Sequence, residues 1–288
     1  IFVDMIMARD VNQRKEVLKK LLPLLKDDFV QILKAMEGYK VTIRLFDPPL
    51  HEFLPSSKNK KVLARAKELE EVNPMMGHRG VRLGITYPEI YEMQIRAVFE
   101  ATAKLVKKKI DAKPQIMIPQ VGSIEELNHI KSIYDNVKSD IEKKYRTKFK
   151  INFGTMLEVV RACLTSDELA KTAEFFSFGT NDLTQAVFSF SREDAESKFL
   201  EEYKKKEILE ISPFQSIDEN GVGNLINIAV SRGRKIKSNL EIGIYGEHGG
   251  DPDSIRFCHS ADISYVSASP FRIPVAIVAA AQAAINKK

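Results

Sequence analysis

The feature that most constrains this chain is an alternation. Apolar runs of four to six residues recur along it, each followed by a longer stretch with helical periodicity. Parallel strands cannot be joined by a tight hairpin, so this order reads as a parallel sheet with helical crossovers. The predicted strands are Val41–Phe46, Gln115–Pro119, Ile151–Met156, Phe175–Phe178, Glu241–Tyr245 and Ser264–Ser267, with Arg79–Leu83 a weaker seventh.

The helices between them have legible starts and faces. Pro88-Glu89 opens one, and Ile90, Met93, Ala97, Ala101 and Leu105 fall on one side of it. Ser123-x-x-Glu126 and Thr165-x-x-Glu168 have the form of capping boxes. Ile124, Leu127, Ile130, Tyr134 and Val137 make the stripe after the first box. Val275–Ile285 is apolar and Ala-rich and reads as a buried terminal helix. The expected fold is α/β, a (β/α)8 TIM-type barrel lacking its first strand, with a doubly wound open sheet as competitor. The missing strand would lie upstream of Ile1. The segment with Val11, Leu18, Leu21, Leu22 and Leu25 at near-helical spacing would be the helix after it. Without a clean linker, residues 1–288 read as one domain, and Pro55–Lys61 as an exposed, mobile loop.

Composition narrows the function classes. A chain of 288 residues, 44% hydrophobic and 29% charged, has the makeup of a soluble globular domain. It has no apolar run of the ~18 residues a membrane span needs, and no signal peptide is expected. The lack of an initiator Met makes it read as a piece of a longer chain. The net charge of +5 is mild, and the lysines at 104–109 and 143–150 read as solvated helix ends and loops. No interleaved aromatics or known motif favour nucleic acid. Cys163 and Cys258 have neither metal-ligand spacing nor the number for a disulfide framework, which fits a reducing, cytoplasmic setting. Neither a GxxxxGK[ST] loop nor a GxGxxG fingerprint occurs, so this stretch is not expected to bind ATP.

In α/β folds chemistry sits where strands end, and four predicted strand ends carry polar clusters. They are Thr42-Ile43-Arg44 leading to Asp47, Thr155-Met156-Leu157-Glu158, Ser177-Phe178-Gly179-Thr180-Asn181-Asp182, and Tyr245-Gly246-Glu247-His248-Gly249-Gly250. Glu158 and Asp182 on neighbouring strands would suit Mg²⁺, which takes oxygen ligands and keeps several waters. The alternative is a helix N-cap at Asn181-Asp182 and a surface acid at Glu158. The backbone N–H groups of Gly179 and Thr180 could hold a carboxylate or phosphate. Arg44 lies in an otherwise apolar strand and needs an anionic partner, either Asp47 or Glu52 or a substrate phosphate. Arg79, after His78, has the same two readings. His51, His78 and His248 fit no metal motif and read as hydrogen-bonded structural histidines.

TIRLFDPPLHEFLP (42–55), NPMMGHRGVRLGITYPEI (73–90), GTMLEVVRA (154–162), AEFFSFGTNDLTQ (173–185), GEHGGDP (246–252) and YVSASPFRIPVA (265–276) carry a resemblance. In order and over essentially the whole chain, they resemble the C-terminal, phosphoenolpyruvate/pyruvate-binding domain of the pyruvate, phosphate dikinase family. DPPLHEF favours that family over its relatives, phosphoenolpyruvate synthase and enzyme I of the sugar phosphotransferase system. The resemblance implies a Mg²⁺-dependent phosphotransferase barrel. It would act with a phosphohistidine on a mobile domain, within the interconversion of ATP, phosphate and pyruvate with AMP, diphosphate and phosphoenolpyruvate. It implies Glu158 and Asp182 as metal ligands, and Glu158 with Gly179, Thr180, Asn181 and Asp182 as substrate contacts. Arg44 matches a substrate-binding arginine, Arg79 is a further candidate, and a homodimer is expected.

The chain departs from the family pattern in three places. The ATP-binding and phosphohistidine domains and the first barrel strand, with another substrate arginine, are not in this sequence. The stretch between Leu54 and Asn73 is shorter than usual. Where the family reads GICGEHGG, this chain has Tyr245 in place of the proton-transferring Cys. A free Cys titrates near ~8.5 and a Tyr near ~10, so Tyr245 is the weaker base at neutral pH. The competing expectation is a catalytically impaired barrel retained for ligand binding or dimerisation.

Overall fold

The computed structural model describes residues 1–54 and 58–285. In chain order the elements are α1 (Phe2–Met7), α2 (Val11–Ala35), β1 (Lys40–Arg44), α3 (Lys60–Leu69), α4 (Val81–Thr86), α5 (Pro88–Lys107), β2 (Lys113–Ile118) and α6 (Ile124–Tyr145). There follow β3 (Asn152–Leu157), α7 (Val160–Leu164), α8 (Ser166–Thr172), β4 (Phe175–Gly179), α9 (Thr180–Phe188), α10 (Arg192–Lys198) and α11 (Leu200–Lys205). The last are α12 (Asn224–Ile236), β5 (Glu241–Tyr245), α13 (Pro252–Ser260), β6 (Tyr265–Ser267) and α14 (Ile273–Ile285). The six clear strand expectations are met, with no end moved by more than two residues.

The strands lie in the order β1-β2-β3-β4-β5-β6, and the pairs β1–β2, β3–β4, β4–β5 and β5–β6 run parallel. This sequential order is that of a TIM-type barrel wall with part of its strands, and it excludes the doubly wound order, which reverses. The chain divides into two compact units, Ile1–Gln120 with Glu125–Phe153, and Val121–Ile124 with Gly154–Lys288.

In the first unit α5 is the centre. It buries the expected face and more, with Ile90, Tyr91, Ile95, Ala97, Val98, Phe99 and Ala101 fully enclosed. Phe99 meets Tyr134 and Phe149 edge-on, and Tyr134 meets Phe153 the same way. Edge-to-face pairs of this kind add about 0.5–1.5 kcal/mol beyond area burial. Leu33 of α2 packs with Ala101, Leu105 and Ala112, with Phe29 and Val30 beside them. Arg14 is buried as well, its Nε donating to Glu89 Oε1 at 2.7 Å. In the second unit every residue of β4 is buried, as expected for a central parallel strand. Ser166 Oγ donates to the Ala229 carbonyl at 2.9 Å and ties α8 to α12.

Several expectations are corrected. Arg79–Leu83 is not a strand. Gly80 takes φ +57°, and Val81 begins a helix whose first N–H donates to the Pro119 carbonyl at 3.0 Å. A helical segment cannot also supply a strand ladder. The Thr165-x-x-Glu168 box is not made, because the Thr165 hydroxyl donates back to the Arg161 carbonyl of α7 at 2.9 Å. Val11 is exposed, while Leu18 and Leu33 carry the buried face of α2. Of the loop expected at Pro55–Lys61, the first three residues lie outside the described residues. Lys60 and Lys61 start α3, capped by the Asn59 side chain, which accepts from Lys61 N–H at 2.9 Å. The terminal helix is not buried all round. α14 encloses only Ala276, Ala279 and Ala283, and Ile277 and Val278 are 64% and 57% exposed. Apolar composition licenses burial, but neighbours decide it. Here Ile255 covers only the narrow alanine stripe. Lys144 is exposed, as expected of these lysines, and in addition donates to the buried Glu100 at 2.8 Å.

Candidate functional site

In the second unit, register places the predicted residues on adjacent strand ends. β3 and β4 pair Leu157 with Phe178, and β4 and β5 pair Gly179 with Tyr245. Glu158 follows β3 directly and is 2% exposed, so it is not the surface acid of the alternative reading. Its carboxylate lies over Gly179. A Cβ at 179 would collide with Glu158 Oε2 and come within 2.7 Å of Met156 Sδ. The missing side chain is therefore what lets the carboxylate occupy that space.

Thr180 opens α9 and is fully buried. Its Oγ1 lies 2.7 Å from His248 Nδ1 and 3.3 Å from the Tyr245 carbonyl oxygen. His248 Nε2 meets the Pro213 carbonyl at 2.9 Å, so His248 is the hydrogen-bonded histidine expected. Burial pushes its pKa below the ordinary imidazole value, against the pull of Asp251 and Glu247. Gly246 takes φ +139°, a left-handed conformation that glycine tolerates, and a Cβ there would strike Thr180 Oγ1. The turn at 245–248 is therefore seated on the turn at 179–181. Asn181 Oδ1 is buried, with no hydrogen-bond partner among the described residues.

A cleft of about 1010 Å³ opens beside these turns. Asn181, Tyr245, Gly246, Glu247, Arg192 and Arg272 line it. Tyr245 is 48% exposed there. Arg192 of α10 donates to Glu247 Oε2 at 2.7 Å and Glu196 Oε1 at 3.0 Å. Those carboxylates hold its pKa above the ordinary arginine value. The roles of Arg192 and Glu247 were not legible in the sequence, since charged residues 55 apart carry no spacing signal.

The first unit holds the two candidate arginines. Arg44 ends β1 and donates from Nη1 to Asp47 Oδ2 at 3.2 Å. Arg79 is 6% exposed and grips the same carboxylate twice, Nη2 to Oδ2 at 2.5 Å and Nε to Oδ1 at 3.0 Å. Asp47 is thus the shared partner of both guanidiniums. His78 Nε2 lies 2.5 Å from Thr86 Oγ1, while His51 Nδ1 is buried without a hydrogen-bond partner among the described residues.

Oxygen donors of the kind a hard cation takes lie at these strand ends. Glu158 offers a buried carboxylate over the Gly179 gap, Asn181 Oδ1 a further buried oxygen, and Asp182 a second carboxylate on α9. No group of three His, Cys, Asp or Glu that could hold a metal occurs among the described residues. Two carboxylates with waters and substrate match how Mg²⁺ is usually bound. Cys163 and Cys258 are buried thiols, both pushed up to about 12, chiefly by burial. The nearby Glu158 charge adds to the shift at Cys163.

Consecutive parallel strands with acids and a glycine turn at their C-terminal ends define a TIM-type barrel domain with its polar groups where such barrels bind substrates. The profile of the family described as "PEP-utilising enzyme, PEP-binding domain" matches residues 4–285, and the chain belongs to that family. Its relatives include proteins named pyruvate, phosphate dikinase, as the motifs implied. The Entamoeba histolytica protein is 50% identical over 99% of this chain and 35% of its own length. That of Clostridium symbiosum is 48% identical over 99% and 34%. Pyruvate, phosphate dikinase 1, chloroplastic, of Arabidopsis thaliana is 49% identical over 98% and 31%. The chain spans about a third of the length of these relatives. No helix among the described residues is long and apolar enough to cross a membrane.

Proposed function

We propose that this domain binds phosphoenolpyruvate and pyruvate and interconverts them by phosphoryl transfer with a phosphohistidine on a mobile domain outside this chain. The transfer would form part of ATP + phosphate + pyruvate = AMP + diphosphate + phosphoenolpyruvate. The observation that carries this reading is the buried Glu158 carboxylate over Gly179, one strand from the α9 turn. Glu158 and Asp182 would hold Mg²⁺, which when bound acts as a Lewis acid on the substrate carbonyl. The N–H groups at the start of α9 favour anionic substrate oxygens. Arg44 and Arg79, positioned by Asp47, neutralise phosphoryl charge, which is most of what such a transfer asks of a protein. Tyr245, at the position of the family cysteine, would move the proton that leaves or returns to the substrate methyl carbon.

Calorimetric titration of the chain with phosphoenolpyruvate, with and without Mg²⁺, tests the reading. Mg²⁺-dependent binding that Glu158→Gln abolishes is expected, and binding indifferent to both would refute it.

A second reading keeps binding but not turnover. The half-exposed Tyr245 ring at the cleft supports it, because a tyrosine is a poor base at neutral pH. Phosphoenolpyruvate formation by the full-length protein separates the two. A homodimer and a cytoplasmic setting complete the proposal, and the uncovered apolar side of α14 supports association with a second copy.

A further inference from the structure

One buried hydroxyl joins the two turns of the site. Thr180 Oγ1 touches both His248 Nδ1, at 2.7 Å, and the Tyr245 carbonyl oxygen, at 3.3 Å. On its far side His248 Nε2 meets the Pro213 carbonyl at 2.9 Å. A carbonyl oxygen only accepts, so Nε2 carries a proton. A neutral imidazole has one N–H, so Nδ1 is then an acceptor and the Thr180 hydroxyl must donate to it. That hydroxyl has a single proton, which is therefore withheld from Tyr245. Protonating Nδ1 reverses the chain. Nδ1–H donates to Oγ1, and the hydroxyl proton turns to the Tyr245 carbonyl. One proton enters, and only hydrogen bonds change.

We propose that His248 is a positioning residue whose protonation state, relayed through the Thr180 hydroxyl, sets how firmly the backbone at Tyr245 is held. The relevance to turnover rests on the reading of Tyr245 as the residue that faces the substrate methyl. The charged groups that act on the ring are known. Glu247 and Asp251 favour the cation, Arg192 from α10 disfavours it, and burial prevails. Glu247 is engaged by Arg192 at 2.7 Å, and Asp251 Oδ2 accepts from Ser216 Oγ and Ser254 N–H, both at 2.9 Å. Both carboxylates are thus committed elsewhere. The neutral arrangement holds at and above neutral pH, and the reversed one appears on the acid side.

Long-range ¹⁵N–¹H correlation of the imidazoles in the full chain, with the Tyr245 carbonyl ¹³C shift followed in parallel, reads the switch. An Nε2–H tautomer at neutral pH is expected. So is a Tyr245 carbonyl shift that moves with the His248 midpoint, which lies below the ordinary imidazole value of ~6.5. Thr180→Val should uncouple the two signals while His248 still titrates, and Thr180→Ser should restore the coupling. An Nδ1–H tautomer, or a Tyr245 carbonyl indifferent to His248 in the unmodified chain, overturns the proposal. No substrate enters this measurement, so its failure is distinct from failure of phosphoenolpyruvate binding.

Discussion

The Glu158 carboxylate occupies the space where a side chain at position 179 would begin. Two strand ends are thereby locked together by an absence. Gly179 has φ −88°, an ordinary value, so the demand for glycine here is one of space and not of backbone conformation. Gly179→Ala should destabilise the chain by about 1–3 kcal/mol through overpacking. It should also weaken Mg²⁺-dependent phosphoenolpyruvate binding. Urea melts and calorimetry check the two effects, and a fully stable alanine variant that binds normally would contradict the geometry.

Asp47 is 4% exposed and holds both Arg44 and Arg79. Asp47→Asn removes the charge that Arg79 is buried against. Breaking one side of a buried pair costs about 3–5 kcal/mol. Denaturant unfolding should show a loss of that order, and Arg44→Gln, at the more exposed guanidinium, should show much less.

His248 gives stability a pH dependence with a definite sign. Its folded pKa is lowered, so the unfolded chain takes up the proton first as pH falls. Its contribution is complete above the unfolded value of ~6.5 and is lost below it, levelling off once pH passes the folded pKa. The slope from one such proton is at most about 1.4 kcal/mol per pH unit. Unfolding midpoints measured from about pH 8 to about pH 5 should fall less steeply in His248→Gln than in the parent.

Position 245 governs proton transfer in the proposed reaction. A matched acid–base group is worth about 10²–10⁴ in rate. Tyr245→Cys should raise exchange of the pyruvate methyl protons in the intact enzyme by a factor at the lower end of that range. Equal exchange in the two proteins would show that residue 245 does not move the proton.

The exposed side of α14 carries Ile277 and Val278. If a second copy covers it, Ile277→Asp with Val278→Asp should shift the dimer to monomer in light scattering without unfolding the second unit. An unchanged mass would place the interface elsewhere.

The second-unit site was largely legible because its parts are contiguous. Glu158 follows one strand, and Gly179 to Asp182 follow the next, so strand register alone makes neighbours of them. The first-unit cluster was half legible. Asp47, three residues from Arg44, is one of the three anionic partners open to that arginine in the sequence, but its grip on Arg79 spans 32 residues and has no local signature. The segment at 79–83 misled for a related reason. Its apolar residues suit either period, and the positive φ of Gly80 decides for the helix.

The sequence by itself determined the alternation of strands and helices, the family, and the residues at the ends of β3, β4 and β5. These follow from periodicity and from motifs that are local in the chain. Tertiary structure alone decided which carboxylate is buried, that Thr180 lies in hydrogen-bond contact with His248, that Arg192 holds Glu247, and which side of α14 is uncovered. Burial and hydrogen-bond partnership depend on what packs opposite each residue, and the chain brings those partners together only when it folds.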